Sequence, residues 1–394
     1  MRIVITGMGA VTPIGLSVEA FWQALCRGDS GIRDLTRFDT RDWLFTRGGE
    51  IRDFSLPAEI AVVHADVNLA SQFMMAAARE ALRDAALDGT ADQPEVGVVL
   101  STNFGGVSAA EEMLTPARSS GRGWQELSFQ RCVDRVAALW HLTGPGAALS
   151  LSCASGGAAI AVGADLIRAG RAQAVLTGGY DAISRFAWSG LSVLRTMSKE
   201  AVRPFDKNRD GTIFSDGAGA LVVEEYEHAR RRGARIHAEL VGYGLNNNAF
   251  HMTAPAKEGA GSAAVMKMAL ADAGLSPEAV DHINAHGTGT KPNDVTETQA
   301  VKAVFGAHAA RMPVTSIKGG LGHMMGAAGS VEAIASILSM RDGIIPPTLN
   351  YREPDPECDL DYVVNTARAM TLGTVLSNSA GIGGCNAAVI LRKP

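Results

Sequence analysis

The 394-residue sequence is short of several things, and each shortage closes off a class of function. Only five cysteines occur (Cys26, Cys132, Cys153, Cys358 and Cys385), and no two form a CxxC pair. An odd, scattered set supplies neither a disulfide framework nor a zinc ribbon, and it fits a reducing, cytoplasmic setting. Surplus positive charge is lacking too: 36 Lys and Arg against 41 Asp and Glu leave a net charge of −5. A nucleic-acid partner would call for a concentrated basic face; the one basic run, Arg230 to Arg232, reads as a solvated helix end. The charge-free stretch 142–164, LTGPGAALSLSCASGGAAIAVGA, has the length of a membrane span but not its Leu, Ile and Phe. Its Gly, Ala and Ser make transfer into lipid feeble, so buried core is expected and a membrane span is not. The opening MRIVITGMG shows no basic region leading into the apolar core of a signal peptide.

What is present is glycine, 44 residues of it, marking tight turns and close backbone approaches. A faint repeat also runs through the chain. RIVITGMGA (2–10) resembles RIHAELVGYG (235–244), and ALRDAAL (81–87) resembles ALADAGL (269–275). After each of the latter comes a strand-like run ending in polar and Gly-rich residues, VGVVLSTNFGG (96–106) and VDHINAHGTGT (280–290). Helical and strand patterns alternate, which implies an α/β fold built of sheets covered by helices. The shared order of the matches predicts two duplicated α/β halves. We place their junction near residue 233, giving 1–233 and 234–394. The proline-rich segment from Pro346 to Pro356 is expected to be a surface connection.

Four segments carry candidate chemistry, all at strand ends or in Gly-rich loops. LSCASGG (151–157) sets Cys153 where a strand meets a small-residue helix. A helix N-terminus lowers a thiol pKa and leaves backbone N–H groups free for an oxyanion; taken alone, the residue reads equally as a small buried apolar side chain. NAHGTGT (284–290), followed by Asp294 and Glu297, puts His286 in a loop whose hydroxyls and small residues suit an amide-bearing substrate arm. SIKGGLGHMMGAAGS (316–330) holds Lys318 and His323 together. An ammonium nearby disfavours a second positive charge, so His323 is expected to stay neutral and donate to a developing enolate. NSAGIGGCN (378–386) allows a tight hairpin with amides turned into a cavity.

Together these segments resemble the elongating β-ketoacyl-(acyl carrier protein) synthases, condensing enzymes with a Cys-His-His triad. VITGMGAVTPIG at the start, RPFDKNRDGTIFSDGAGALVVEEYEHA in the middle and PPTLN near residue 348 extend the resemblance along essentially the whole chain. It implies the thiolase fold, two duplicated halves in alternating helix and sheet layers, usually paired as dimers. It also implies Cys153 as nucleophile, the amides of Cys153 and Ile382 as oxyanion hole, and His286 and His323 as donors to the enolate. Lys318, Glu332, Asp294 and Glu297 would support them, and Thr288 and Thr290 would bond the pantetheine arm. Arg203 matches a carrier-docking position. Neither metal nor redox cofactor is implied; substrates ride on the phosphopantetheine arm of an acyl carrier protein, and the dimer partner is a second copy or a related synthase-like subunit.

Departures from the family pattern fall around the acyl chain. Where the family loop reads NSFGFGGTN, this chain has Ala380 and Ile382 for the two Phe and Cys385 for the Thr. Phe104 meanwhile stands where the acyl pocket is often lined by something smaller. A specialised chain, aryl or polyene, is expected in place of routine saturated fatty acids. A Cys/His/His metal site finds no support in the spacing, and three other readings fit less well: a non-catalytic chain-length subunit, a thiolase, and a dinucleotide oxidoreductase. The first lacks the nucleophile, the second needs another active-site Cys, and the third fails at Thr12, where GxGxxG requires Gly.

Overall fold

The computed structural model describes residues 1–64, 67–89, 95–114 and 124–394. Two stretches of chain each give five strands to the main sheet. The first contributes β1 (Ile3–Val11), β2 (Val96–Ser101), β3 (Gly146–Leu149), β4 (Ala174–Asp181) and β5 (Gly217–Glu225). The second contributes β6 (Ala238–Asn247), β7 (His282–Asn284), β8 (Val314–Thr315), β9 (Thr374–Ala380) and β10 (Cys385–Arg392). Their spatial order is β3-β2-β4-β5-β1 and β8-β7-β9-β10-β6, the same arrangement twice. Directions repeat as well: in each half two parallel ladders are followed by two antiparallel ones. A short antiparallel pairing of Ile3–Ile5 with Ala238–Leu240 joins the halves into one ten-stranded sheet.

The helices repeat in the same way. The first half carries α1 (Leu69–Asp84), α2 (Gln130–Leu139) and α3 (Ser155–Arg168). The second carries α4 (Ala260–Ala273), α5 (Lys291–Phe305) and α6 (Ala328–Asp342), the last closed by Gly343 in the left-handed region. α1 packs on β1, β4 and β5, and α4 on β6, β9 and β10. The repeat seen in sequence has a packing cause here. A Cβ on Gly7 or Gly9 would lie 2.1 Å from the carbonyl oxygen of Ala81 or 1.9 Å from that of Ala77 on α1. Gly242 and Gly244 meet the carbonyls of Ala269 and Val265 on α4 at 2.5 and 2.6 Å in the same way. Each glycine pair therefore lets a helix settle on its strand, and the opening GMG needs no nucleotide to explain it.

α3 and α6 pack on each other and on strands of both halves, forming the middle layer between the half-sheets. All but two residues of α6 are buried; of the charge-free stretch, Cys153 to Ala164 is core apart from the half-buried Val162, whereas 143–152 is half-buried or exposed. No helix among the described residues is long and apolar enough to cross a membrane. Two local expectations are corrected. The stretch from Pro346 to Pro356 is a surface connection only in its second part, where Arg352, Pro354 and Pro356 are exposed; Pro346, Pro347 and Thr348 are buried, Thr348 Oγ1 accepting from the Ser316 amide at 3.1 Å and Asn350 donating to the Gly319 carbonyl at 2.9 Å, which braces the loop of Lys318. Arg232 is not a solvated helix end: it turns inward to Glu224, at 2.6 and 2.7 Å, because that carboxylate is fully buried and needs a cation.

Candidate active site

The parallel strands of both halves end facing one another, and the loops they release build the site. β3 runs into a turn at Leu151–Ala154 with Ser152 at φ 54, after which α3 begins. This sharp reversal leaves Cys153 at the strand–helix junction. In the second half the corresponding strand β8 leads through a single helical turn, Lys318–Leu321, to His323 and then α6. α3 and α6 touch backbone to backbone near their starts: a Cβ on Gly156 would lie 2.5 Å from the Ser330 nitrogen, and one on Gly329 2.6 Å from that of Gly157. That contact brings the loop of Cys153 to the loop of His323. His286 arrives on the loop after β7.

Cys153 Sγ and one ring nitrogen from each of His286 and His323 all lie within 4.8 Å of one another. The two rings stand edge to face, with centroids 5.3 Å apart. All three side chains are buried. The amide of Met325 donates to His323 Nδ1 at 3.0 Å, which leaves the proton of the neutral ring on Nε2. That Nε2 is buried and has no hydrogen-bond partner among the described residues. Lys318 lies against His286: its ammonium donates to the His286 carbonyl at 2.6 Å and sits 3.4 Å from Nδ1, so this ring too carries its proton on Nε2. Burial and then the charge of Lys318 hold both imidazoles well below the usual histidine range. The neutrality expected for His323 is present, with desolvation as its larger cause. Three such atoms also have the spacing to surround a metal ion. The donor set argues against one, since His323 Nδ1 is engaged, Nε2 is protonated, and an ammonium stands beside His286.

Lys318 is itself fully buried and bonded to the equally buried Glu332 of α6, whose carboxyl burial pushes up. Glu297 receives the amides of His286 and Gly287, both at 2.8 Å, and the side chain of Asn378 at 2.7 Å. Asp294 receives the Phe205 amide at 2.7 Å and faces Arg209. One expectation is reversed. The Cys153 thiol is pushed up to about 11, since burial outweighs the opposing charge of Lys318 and the Ile382 amide that bonds its sulfur.

A cavity of about 280 Å³ reaches this centre; Thr288, Thr290, Ala380 and Ile382 line it, and the two hydroxyls bond each other at 2.8 Å. A second cavity of about 210 Å³ lies on the other side of Cys153, lined among others by Phe104, Phe214, Met325 and Ile382. Ile382 borders both. Cys385 lines neither; it accepts from Asn247 at 3.3 Å. Arg203 is only 8% exposed and paired with Glu200 and Asp210, so it offers little free charge to an acidic partner. Asp181, at the end of β4, was not legible in the sequence: its buried carboxylate accepts from two loops, Thr102–Phe104 and Gly326, and nothing in YDAIS sets it apart from an ordinary strand end.

The fold and this site define a condensing enzyme of the thiolase fold. Residues 1–229 match the family described as Beta-ketoacyl synthase, N-terminal domain, and residues 237–352 match Beta-ketoacyl synthase, C-terminal domain. The chain belongs to the beta-ketoacyl synthase family. It is 39% identical over 410 residues to 3-oxoacyl-[acyl-carrier-protein] synthase 2 of Coxiella burnetii, covering 100% of this chain and 98% of the relative. Among solved structures it is similar to the ishigamide ketosynthase/chain length factor, with TM-score 0.89, 36% identity, and 100% and 99% of the two chains covered. It is also similar to a type II polyketide synthase ketosynthase in complex with its acyl-carrier protein, AntDE:AntF, with TM-score 0.90, 31% identity and the same coverage.

Proposed function

We propose that Cys153, His286 and His323 carry out a decarboxylative Claisen condensation between an acyl group and a malonyl unit, each delivered on the phosphopantetheine arm of an acyl carrier protein. The observation that carries this is the meeting of one sulfur and two ring nitrogens within 4.8 Å at the inner end of a cavity. In the first stage Cys153 attacks the acyl thioester. The tetrahedral oxyanion is held by the amides of Cys153 and Ile382, and its collapse forms the acyl-cysteine bond; the thiol proton ends on the departing carrier thiol. Malonyl carrier then takes the 280 Å³ cavity, its arm beside Thr288 and Thr290. The bond to the carboxylate breaks, carbon dioxide leaves, and the electron pair enters the thioester as an enolate. Both Nε2–H groups donate to the enolate oxygen; being neutral, each donates without first losing a charge. The enolate carbon attacks the acyl-cysteine carbonyl, and the thiolate of Cys153 is expelled from a β-ketoacyl product two carbons longer.

The acyl chain extends into the 210 Å³ cavity, where Phe104 fills space and Ile382 presents a small gate. This supports an aryl or polyene chain over a long saturated one. A functional half of a synthase pair fits better than a chain-length subunit, because the nucleophile and both imidazoles are assembled. A thiolase fits worse: Cys153 is the one cysteine lining the cavities among the described residues. We further place the boundary between halves at 233/234, the partner as a second copy or a related synthase-like subunit, and the protein in the cytoplasm, supported by five free cysteines. The test is product formation from acyl and malonyl carriers. His323→Ala and His286→Ala should each cut malonyl decarboxylation by about 10²-fold or more while Cys153 still loads. Decarboxylation that survives both substitutions would end this reading.

A further inference from the structure

Asp181 is fully buried and has no Lys or Arg against it among the described residues. An anion in that position is costly unless hydrogen bonds replace its water. They do. Its oxygens accept from Thr102 Oγ1 at 2.7 Å, from the amides of Asn103 and Phe104 at 3.1 and 2.9 Å, and from the Gly326 amide at 2.7 Å. These donors belong to two different loops, one from each half of the molecule. Phe104 lines the acyl cavity. The side chain of Asn103 lies 3.2 Å from Ser155 Oγ, and with its amide group turned to donate it reaches the Ser152 carbonyl at 2.9 Å, so it grips the turn bearing Cys153. Gly326 follows Met325, whose amide fixes the His323 tautomer.

Ser152 and Met325 both hold left-handed backbone, at φ 54 and 52. Non-glycine residues stay in that region only where surrounding contacts over-determine them. Each neighbours a contact that leads to Asp181.

We propose that Asp181 is a positioning residue that locks the acyl-cavity wall, the nucleophile turn and the His323 loop into one unit. The proposal rests on the condensing reaction described above. An acyl chain pressing on Phe104 then moves the same carboxylate that orders the donor of the enolate, so chain selection and decarboxylation share one control point. Asp181→Asn is the informative variant: it keeps the size but turns an NH2 toward N–H donors. Thr102→Val, which deletes one donor and leaves the backbone ones, is its mild companion.

Both variants and wild type are assayed for melting, for Cys153 loading across acyl carriers of graded length, and for malonyl decarboxylation. Asp181→Asn should fold, load its favoured acyl group, lose roughly tenfold or more in decarboxylation kcat, and accept a broader range of chain lengths. Thr102→Val should shift both readouts less and in the same direction. A folded Asp181→Asn with the wild-type length profile and decarboxylation rate would overturn the proposal. So would losses in both variants that merely track the unfolded fraction equally for every chain. If wild type itself neither loads Cys153 nor decarboxylates malonyl carrier, the functional reading fails first and takes this inference with it.

Discussion

At the scale of single residues, the site's charge rests on one buried pair. Lys318 and Glu332 neutralise each other out of reach of water, and Lys318 also holds His286 by its carbonyl. Lys318→Met would strand a buried carboxyl and free the His286 loop. We expect a loss of about 3–5 kcal/mol, read from denaturant unfolding, with a larger loss of decarboxylation than of loading. Titration supplies a second check. With its thiol at about 11, Cys153 should alkylate with iodoacetamide at a rate that keeps climbing past pH 9, because the thiolate fraction still grows there. A plateau below pH 8 would mean the helix start outweighs burial. The imidazoles, held low, stay neutral through the working range, so no histidine limb should appear in decarboxylation between pH 6 and 8. Cys153, His286, His323 and Lys318 were picked out in the sequence only by the resemblance that their segments carry together, since each alone reads equally as packing or a capped turn. Asp181 was not, because its meaning lies in donors 77 and more residues distant. The direction of the Cys153 shift was missed for a related reason: a helix start is visible in sequence, whereas the depth of burial is not.

Among elements, α3 and α6 decide whether the site forms. Their glycines let the two helices meet near their starts, and a methyl group at Gly156 or Gly329 would run first into backbone nitrogen of the facing helix. Gly156→Ala and Gly329→Ala should each cost about 1–3 kcal/mol in thermal unfolding, and both should slow condensation, read as β-ketoacyl product formed, by separating Cys153 from His323. The acyl cavity gives a gentler test. Phe104→Ala should raise loading of longer saturated chains, measured across graded acyl carriers, since the ring occupies the wall behind Cys153. Element types and order were readable from periodicity and Gly punctuation. The buried course of Pro346–Thr348 was not, since prolines mark the absence of regular structure equally well inside and outside a core.

Over the whole molecule, duplication explains why the reacting groups meet. Equivalent strands end on the same side of each half, and stacking the halves on α3 and α6 points both sets of loops inward. The sequence repeat announced this because the glycine pairs of β1 and β6 and the small-residue helices α1 and α4 must match each other twice. The joining of the two half-sheets through β1 and β6 had no counterpart in the sequence pattern, as pairing partners leave no local mark. Residues 1–233 or 234–394 expressed alone would expose one face of the central helix layer, so neither should show cooperative unfolding by calorimetry. The most direct test is the intact mass of the protein after incubation with an acyl carrier and removal of excess substrate. The account predicts one added acyl group on the wild-type chain, mapped to Cys153 by peptide fragmentation, and none on Cys153→Ala. An acyl adduct retained by Cys153→Ala, or mapped to another cysteine, would contradict it.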